Sequence, residues 1–173
     1  MDHYFSNIEL LKNLPTYVFR QSDPKVANLK YGRLGRRFEQ VGCGMAATYN
    51  VMKKLGREQP LPNIIRDAER LHMPWLFGLF GTKPKSLGRY FKSKSVPFAQ
   101  TTDCQSFKDR LSSARAAIIC TWNDKRLDGI HFYAVFNEGG RLRALNYYDE
   151  DEATLFSADE LRSDRFIVGY LFG

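Results

Sequence analysis

The spacing of apolar positions changes character along the chain, from helical periods up to Ala114 to strand-like runs beyond it. In the first part, Phe5 to Asn13 predicts a short amphipathic helix, Pro15 to Arg20 an extended piece, and the residues after it a loop rich in Gly and Arg. From Cys43 to Leu55, the residues Met45, Tyr49, Met52 and Leu55 recur at helical spacing, and Gly56 follows where a left-handed cap would end the helix. Pro62 suits a helix start, and Ile64, Ile65, Ala68 and Leu71 form a second stripe ending near His72. A turn-rich stretch, Met73 to Gly81, separates it from a third helix over Pro84 to Lys94, with Leu87, Tyr90 and Phe91 inward. Val96 to Thr101 reads as a short strand and Ser106 to Ala114 as a fourth helix.

The second part reads as strands: Ala116 to Trp122, Ile130 to Glu138, and Arg141 to Tyr148, the last two joined by a Gly139-Gly140 hairpin turn. Ser157 to Glu160 carries a capping box for one more short helix, and Phe166 to Phe172 is apolar and rich in strand formers. Helices first and mostly antiparallel strands afterwards predict an α+β domain, N-terminal helices packed on a C-terminal antiparallel sheet. No repeat or linker divides the chain, so residues 1–173 read as a single domain, with residues 1–40 as an N-terminal extension or arm.

Composition narrows the class. With 173 residues, 43% of them hydrophobic, the chain can bury a sizeable core. There is no run of about eighteen apolar residues and no signal-peptide pattern at Met1 to Ser6, so we expect a soluble cytoplasmic protein without a membrane span. An odd count of three cysteines in a reducing compartment predicts thiols at Cys43, Cys104 and Cys120. The net charge of +7 is spread among apolar residues, densest over Lys30 to Arg37 and Lys83 to Lys94, which fits solvated helix faces. A phosphate-bearing partner is the sharper reading of that charge, but no zinc finger or ribonucleoprotein motif supports nucleic acid.

Two motifs carry chemistry. Gln40-Val41-Gly42-Cys43-Gly44 places a cysteine at a helix start, where unpaired N–H groups and the helix dipole favour thiolate, with Gly42 and Gly44 expected to keep the sulfur accessible. Gly129-Ile130-His131-Phe132-Tyr133-Ala134-Val135 places a histidine near the start of a strand, where it could take the thiol proton. Cys104 and Cys120 lack such context and read as structural. A two-residue turn at Gly139-Gly140 sets Glu138 opposite Arg141 and Tyr133 opposite Asn146, so Asn146 lies diagonal to His131 and its amide oxygen could fix the tautomer. Asp149 is the rival orienter; in that register it points to the other face and begins an acidic turn. The Cys43 N–H and the Gln40 side-chain amide are candidate oxyanion donors.

Together with Ala46-Ala47-Thr48-Tyr49-Asn50, Leu55-Gly56 and Ala144-Leu145-Asn146, these motifs resemble the papain-like cysteine peptidases. The nearest branch is the double-glycine-leader (bacteriocin-processing) peptidases and their bacterial relatives. The resemblance spans residues 38–173 and shares the chain order Cys, His, Asn/Asp. It implies a papain-like cysteine proteinase fold, Cys43 as nucleophile, His131 as base, Asn146 as orienter, Gln40 as a possible oxyanion donor, a peptide, amide or acyl substrate, and no cofactor or metal. Two departures stand out: the family's oxyanion glutamine lies about six residues before the cysteine, where this chain has Arg37, and Asn146 is followed by Tyr147, not the proline common in leader peptidases. A thiol hydrolase acting through a thioester is therefore expected, with a thioester-using acyltransferase or a non-catalytic binding module as alternatives.

Overall fold

The computed structural model describes residues 3–11, 15–123, 129–147 and 149–173. In chain order the elements are α1 (Tyr4–Leu10), β1 (Lys30–Tyr31), β2 (Arg36–Arg37), α2 (Phe38–Val41), α3 (Cys43–Lys54), α4 (Leu61–Arg70), α5 (Leu87–Ser93), β3 (Ala99–Thr101), α6 (Cys104–Leu111), β4 (Ala116–Trp122), β5 (Ile130–Glu138), β6 (Arg141–Leu145), β7 (Thr154–Phe156) and β8 (Phe166–Phe172). Short 3-10 turns lie at Trp75–Gly78 and Ala158–Glu160.

Six strands form one sheet in the order β3-β8-β4-β5-β6-β7, and its paired strands run antiparallel. Alternation along the central strands gives each face its own core. Ile118 and Cys120 of β4 with Phe132 and Ala134 of β5 pack toward α3. Ile119 with Tyr133 and Val135 packs toward Phe107 and Leu111 of α6. The predicted α+β arrangement is therefore the one observed, with helices α2 to α5 on one face.

β4, β5 and β8 occupy the predicted residues, and Gly139 and Gly140, with φ of 61° and 87°, make the expected tight turn. Gly56 ends α3 in the left-handed region, φ 71°. Four details differ from the pattern. The Gly- and Arg-rich loop contains the β1–β2 hairpin, a pairing too short for periodicity to reveal. Thr154–Phe156 adds an edge strand, and Ser157 to Glu160 caps a single 3-10 turn rather than a helix. The fourth helix begins at Cys104, because Asp103 accepts the Ser106 N–H as its N-cap. Residues 12 and 13 of the first predicted helix and Tyr148 of the fourth predicted strand lie outside the described residues.

The helix α3 is buried on every side from Cys43 to Met52, more than its one apolar stripe suggested. Residues 15–31 make the difference: Val18, Val26, Leu29 and Tyr31 are fully buried in the same core. Polar groups on α3 hold this covering segment. The Asn50 side chain accepts the Val18 N–H (2.8 Å) and donates to the Val18 carbonyl (2.8 Å), and Tyr49 donates its hydroxyl to the Pro15 carbonyl (2.6 Å). Among the described residues no helix is long and apolar enough to cross a membrane.

Because Asn50 serves two buried backbone groups, Asn50→Leu should destabilise the fold by about 2–4 kcal/mol, more than an apolar replacement would ordinarily cost, as it strands both. Urea denaturation measures this; a loss below about 1 kcal/mol would show that water replaces the amide.

Candidate active site

Cys43 opens α3 and is 7% exposed. Its sulfur meets three backbone N–H groups, those of Phe132 on β5, Gly44 and Cys43 itself. Burial nevertheless dominates and pushes the thiol above its ordinary pKa, with those N–H groups pulling down by less. This corrects the expectation of a favoured thiolate: the helix terminus contributes in the predicted direction, but desolvation is larger. The flanking glycines are corrected too. A Cβ on Gly44 would stand 2.7 Å from Thr82 Oγ1, and one on Gly42 would stand 2.4 Å from the Phe38 ring. They admit neighbours close to the helix start; they do not open the sulfur to solvent.

Phe132, whose N–H faces the sulfur, packs toward α3, whereas its neighbour His131 projects from the opposite face of β5, so the strand does not bring the candidate base onto the nucleophile's side. No hydrogen bond joins the sulfur and the His131 ring. That ring lies on the Tyr133 side, nearly parallel to the Tyr133 ring at 6.3 Å. Its Nε2–H donates to the Asn146 backbone carbonyl, which leaves Nδ1 as the basic atom. Burial lowers the imidazole pKa, and the Asn146 carbonyl raises it by less, so the ring rests neutral at pH 7.

Asn146 thus meets His131, but through a different atom from the one the register predicted. The β5–β6 ladder ends at Ala134 opposite Leu145, and Asn146 turns out of it at φ 60°, a conformation asparagine tolerates. The turn aims its carbonyl at the ring and its side chain elsewhere. Asn146 Nδ2 donates to the Phe132 carbonyl (3.2 Å), and Oδ1 accepts the Gln21 N–H (2.8 Å). The Asn146 N–H donates to the Phe19 carbonyl (2.6 Å). Asp149 is exposed and accepts from the Ser22 hydroxyl, while Asp151 pairs with Arg20 at 2.9 Å. The acidic turn fastens the segment around Arg20 and Ser22 and leaves the imidazole alone.

Gln40 is on α2 with its side chain exposed, and Arg37 pairs with Glu39 at 3.1 Å. The amide that is tied into the site is Gln21, which sequence spacing gave no means of finding. It bonds Asn146 through its N–H and donates Nε2 to the Glu39 carbonyl (2.6 Å), while its Oε1 is buried without a hydrogen-bond partner. Cys104 opens α6, buried under Leu161, and Cys120 is fully buried. A cavity of about 380 Å³, lined by Trp122, Tyr133, Tyr147, Arg162 and Arg165, opens onto His131. Among the described residues no group of three or more His, Cys, Asp or Glu could hold a metal ion.

Two expectations follow from this geometry. The unfolded chain binds a proton on His131 below about pH 6.5, whereas the folded ring resists it. The stability this group contributes is full above that pH and is lost as pH falls below it. Comparing thermal melts of the parent and His131→Gln from pH 7 to pH 5 should show a steeper loss in the parent. Asn146→Gly keeps both the left-handed backbone and the carbonyl, so it should preserve the neutral imidazole signal in NMR better than Asn146→Ala does. An equal loss in both variants, which share only the missing amide, would restore the side chain as the orienter.

No protein-family model and no curated protein matches the chain. Its structure is similar to the crystal structure of the peptidase domain of Streptococcus ComA, a bi-functional ABC transporter involved in a quorum sensing pathway. The TM-score is 0.53 and 17% of residues are identical, over 75% of this chain and 88% of that one. At that identity the likeness speaks for the fold: helices packed on an antiparallel sheet in the papain-like arrangement, as the motifs led us to expect.

Proposed function

We propose that this chain is a papain-like thiol hydrolase that cleaves a peptide or amide bond, with Cys43 as nucleophile and His131 as base. The observation that carries the reading is Cys43 at the first turn of α3, its sulfur against three backbone N–H groups including that of Phe132 on β5; the His131 ring, with Nδ1 left basic, projects from the other face of that strand. A peptidase domain among the structural neighbours supports it at the level of fold.

The chemistry starts from a neutral pair. His131 Nδ1 takes the Cys43 proton as the sulfur attacks the substrate carbonyl, which requires the ring to leave the Tyr133 face of β5 and reach the side that packs on α3. N–H groups of the first turn of α3 hold the oxyanion. The imidazolium then gives its proton to the leaving amine, and water cleaves the thioester with His131 again as base. An amine or thiol in the place of that water would make the second step an acyl transfer. The Asn146 carbonyl fixes the tautomer of the resting ring, and the Gln21 N–H bonds the Asn146 side chain. One observation favours a different reading, a binding module without catalysis: the thiol is buried and its pKa is raised.

Iodoacetamide labelling followed by peptide mass mapping separates the two. A catalytic Cys43 labels before Cys104 and Cys120, its rate keeps climbing as pH passes 9 because the thiol titrates high, and His131→Ala slows it on the order of 10²-fold. First labelling at Cys104, or a Cys43 indifferent to His131→Ala, would assign the fold to binding.

A further inference from the structure

The stretch Pro74 to Phe80 has no part in the proposed chemistry, yet it is built unlike the rest of the surface. Leu76, Phe77, Leu79 and Phe80 are 55%, 59%, 42% and 53% exposed, and Leu34, whose N–H donates to the Phe77 carbonyl, is 57% exposed. Five large apolar side chains therefore share two adjoining turns, a patch of the kind that marks contact with another phase or molecule. Leu76 and Phe77 hold φ of 43° and 59°, a left-handed conformation costly for side chains of this size. The Arg33 guanidinium lies over the Phe77 ring at 5.5 Å, but both side chains remain more than half exposed, so apolar burial does not offset that cost.

Beside the turn lies a cavity of about 770 Å³ with cations on its wall, Arg33, Arg66, Arg70 and Lys83, facing Trp75 and Phe77. Glu69 is the acid in that wall, and its carboxylate accepts the Gly32 N–H at 2.7 Å. Arg89 reaches the Leu71 carbonyl at the foot of the turn. Leu79 and Phe80 do not line the cavity.

We propose that this face docks on an anionic phospholipid surface, with Leu76, Phe77, Leu79 and Phe80 entering the acyl boundary and a headgroup phosphate held among Arg33, Arg70 and Lys83. Charge and shape select this occupant. The chain carries a net charge of +7, and the rim is cationic where an anionic headgroup layer would lie. The apolar side chains project from turns, and a fluid acyl phase accepts such a surface without a fitted partner. The turn is rooted at the candidate nucleophile, because Gly81 packs on Val41 and Thr82 on Gly44. Docking would hold the start of α3 near the lipid surface; the proposal itself does not depend on Cys43 being catalytic.

Cosedimentation of the full chain with equimolar phosphatidylglycerol and phosphatidylcholine vesicles tests it, with pure phosphatidylcholine as the reference. The parent should bind the anionic vesicles, and binding should weaken at least about tenfold in Leu79→Ser/Phe80→Ser and about tenfold in Arg33→Glu/Arg70→Glu. Leu79 and Phe80 are exposed, so unchanged thermal melting verifies that the first variant folds. In a Trp122→Phe background, Trp75 fluorescence should shift to shorter wavelength on anionic vesicles. Absence of binding, equal binding of the Leu79→Ser/Phe80→Ser variant, or a dimer of the parent that this variant dissolves would overturn the proposal. The last result would assign the face to a second copy of the chain.

Discussion

The close approach of neighbours to the first turn of α3 is the constraint on which the site depends. Thr82 fills the space where a side chain at Gly44 would stand, and Phe38 fills the space at Gly42. Thr82 Oγ1 is in turn bonded to the Tyr31 hydroxyl at 3.0 Å, so the hairpin of Lys30 to Arg37, the turn ending at Thr82 and the helix start form one unit. This packing fixes the sulfur against Phe132 on β5. The same packing excludes water from the thiol, and that exclusion opposes the thiolate that a helix terminus would otherwise favour. Position and ionisation are therefore in tension at Cys43, and the tight contacts that set the first also decide the second.

The sheet was legible because its strands are long, apolar and punctuated by glycines: Ala116 to Trp122, Ile130 to Glu138 and Phe166 to Phe172 are uninterrupted runs, and Gly139-Gly140 fixes the register of β5 on β6. Correct register placed Asn146 beside His131. It could not show which atom of Asn146 would be used, since that follows from a single left-handed residue at the end of the ladder. The covering segment was illegible for a different reason. Pro15 to Leu29 contains little regular structure, and its place is set by contacts distant in sequence: Val18 on Asn50, Phe19 and Gln21 on Asn146, Arg20 on Asp151. No local period encodes such contacts, so Gln21 escaped notice while Gln40, close to the cysteine in sequence, drew attention. Burial also escaped, because a helix with one apolar stripe became covered on all sides by a segment that has no pattern of its own.

The nature of the group behind His131 shapes what the site can do. A carboxylate there would stabilise the imidazolium by direct attraction and favour a resting thiolate–imidazolium pair. A backbone carbonyl supplies a dipole, which fixes the tautomer and the ring plane but opposes the burial cost of a charged ring only weakly. The directions of the two shifts agree with this: thiol raised, imidazole lowered, both chiefly by loss of water. Under the proposed reading the proton stays on sulfur until the oxyanion forms, so base catalysis by His131 and stabilisation by the N–H groups of α3 would have to act in the same step. The Asn146 side chain therefore matters as a tether of the turn and does not itself meet the ring. Three of its contacts, with Phe19, Gln21 and Phe132, reach into different parts of the chain. The covering segment thus helps to aim the imidazole, and loosening it at Gln21 would disturb the His131 ring without touching Cys43 or His131 itself.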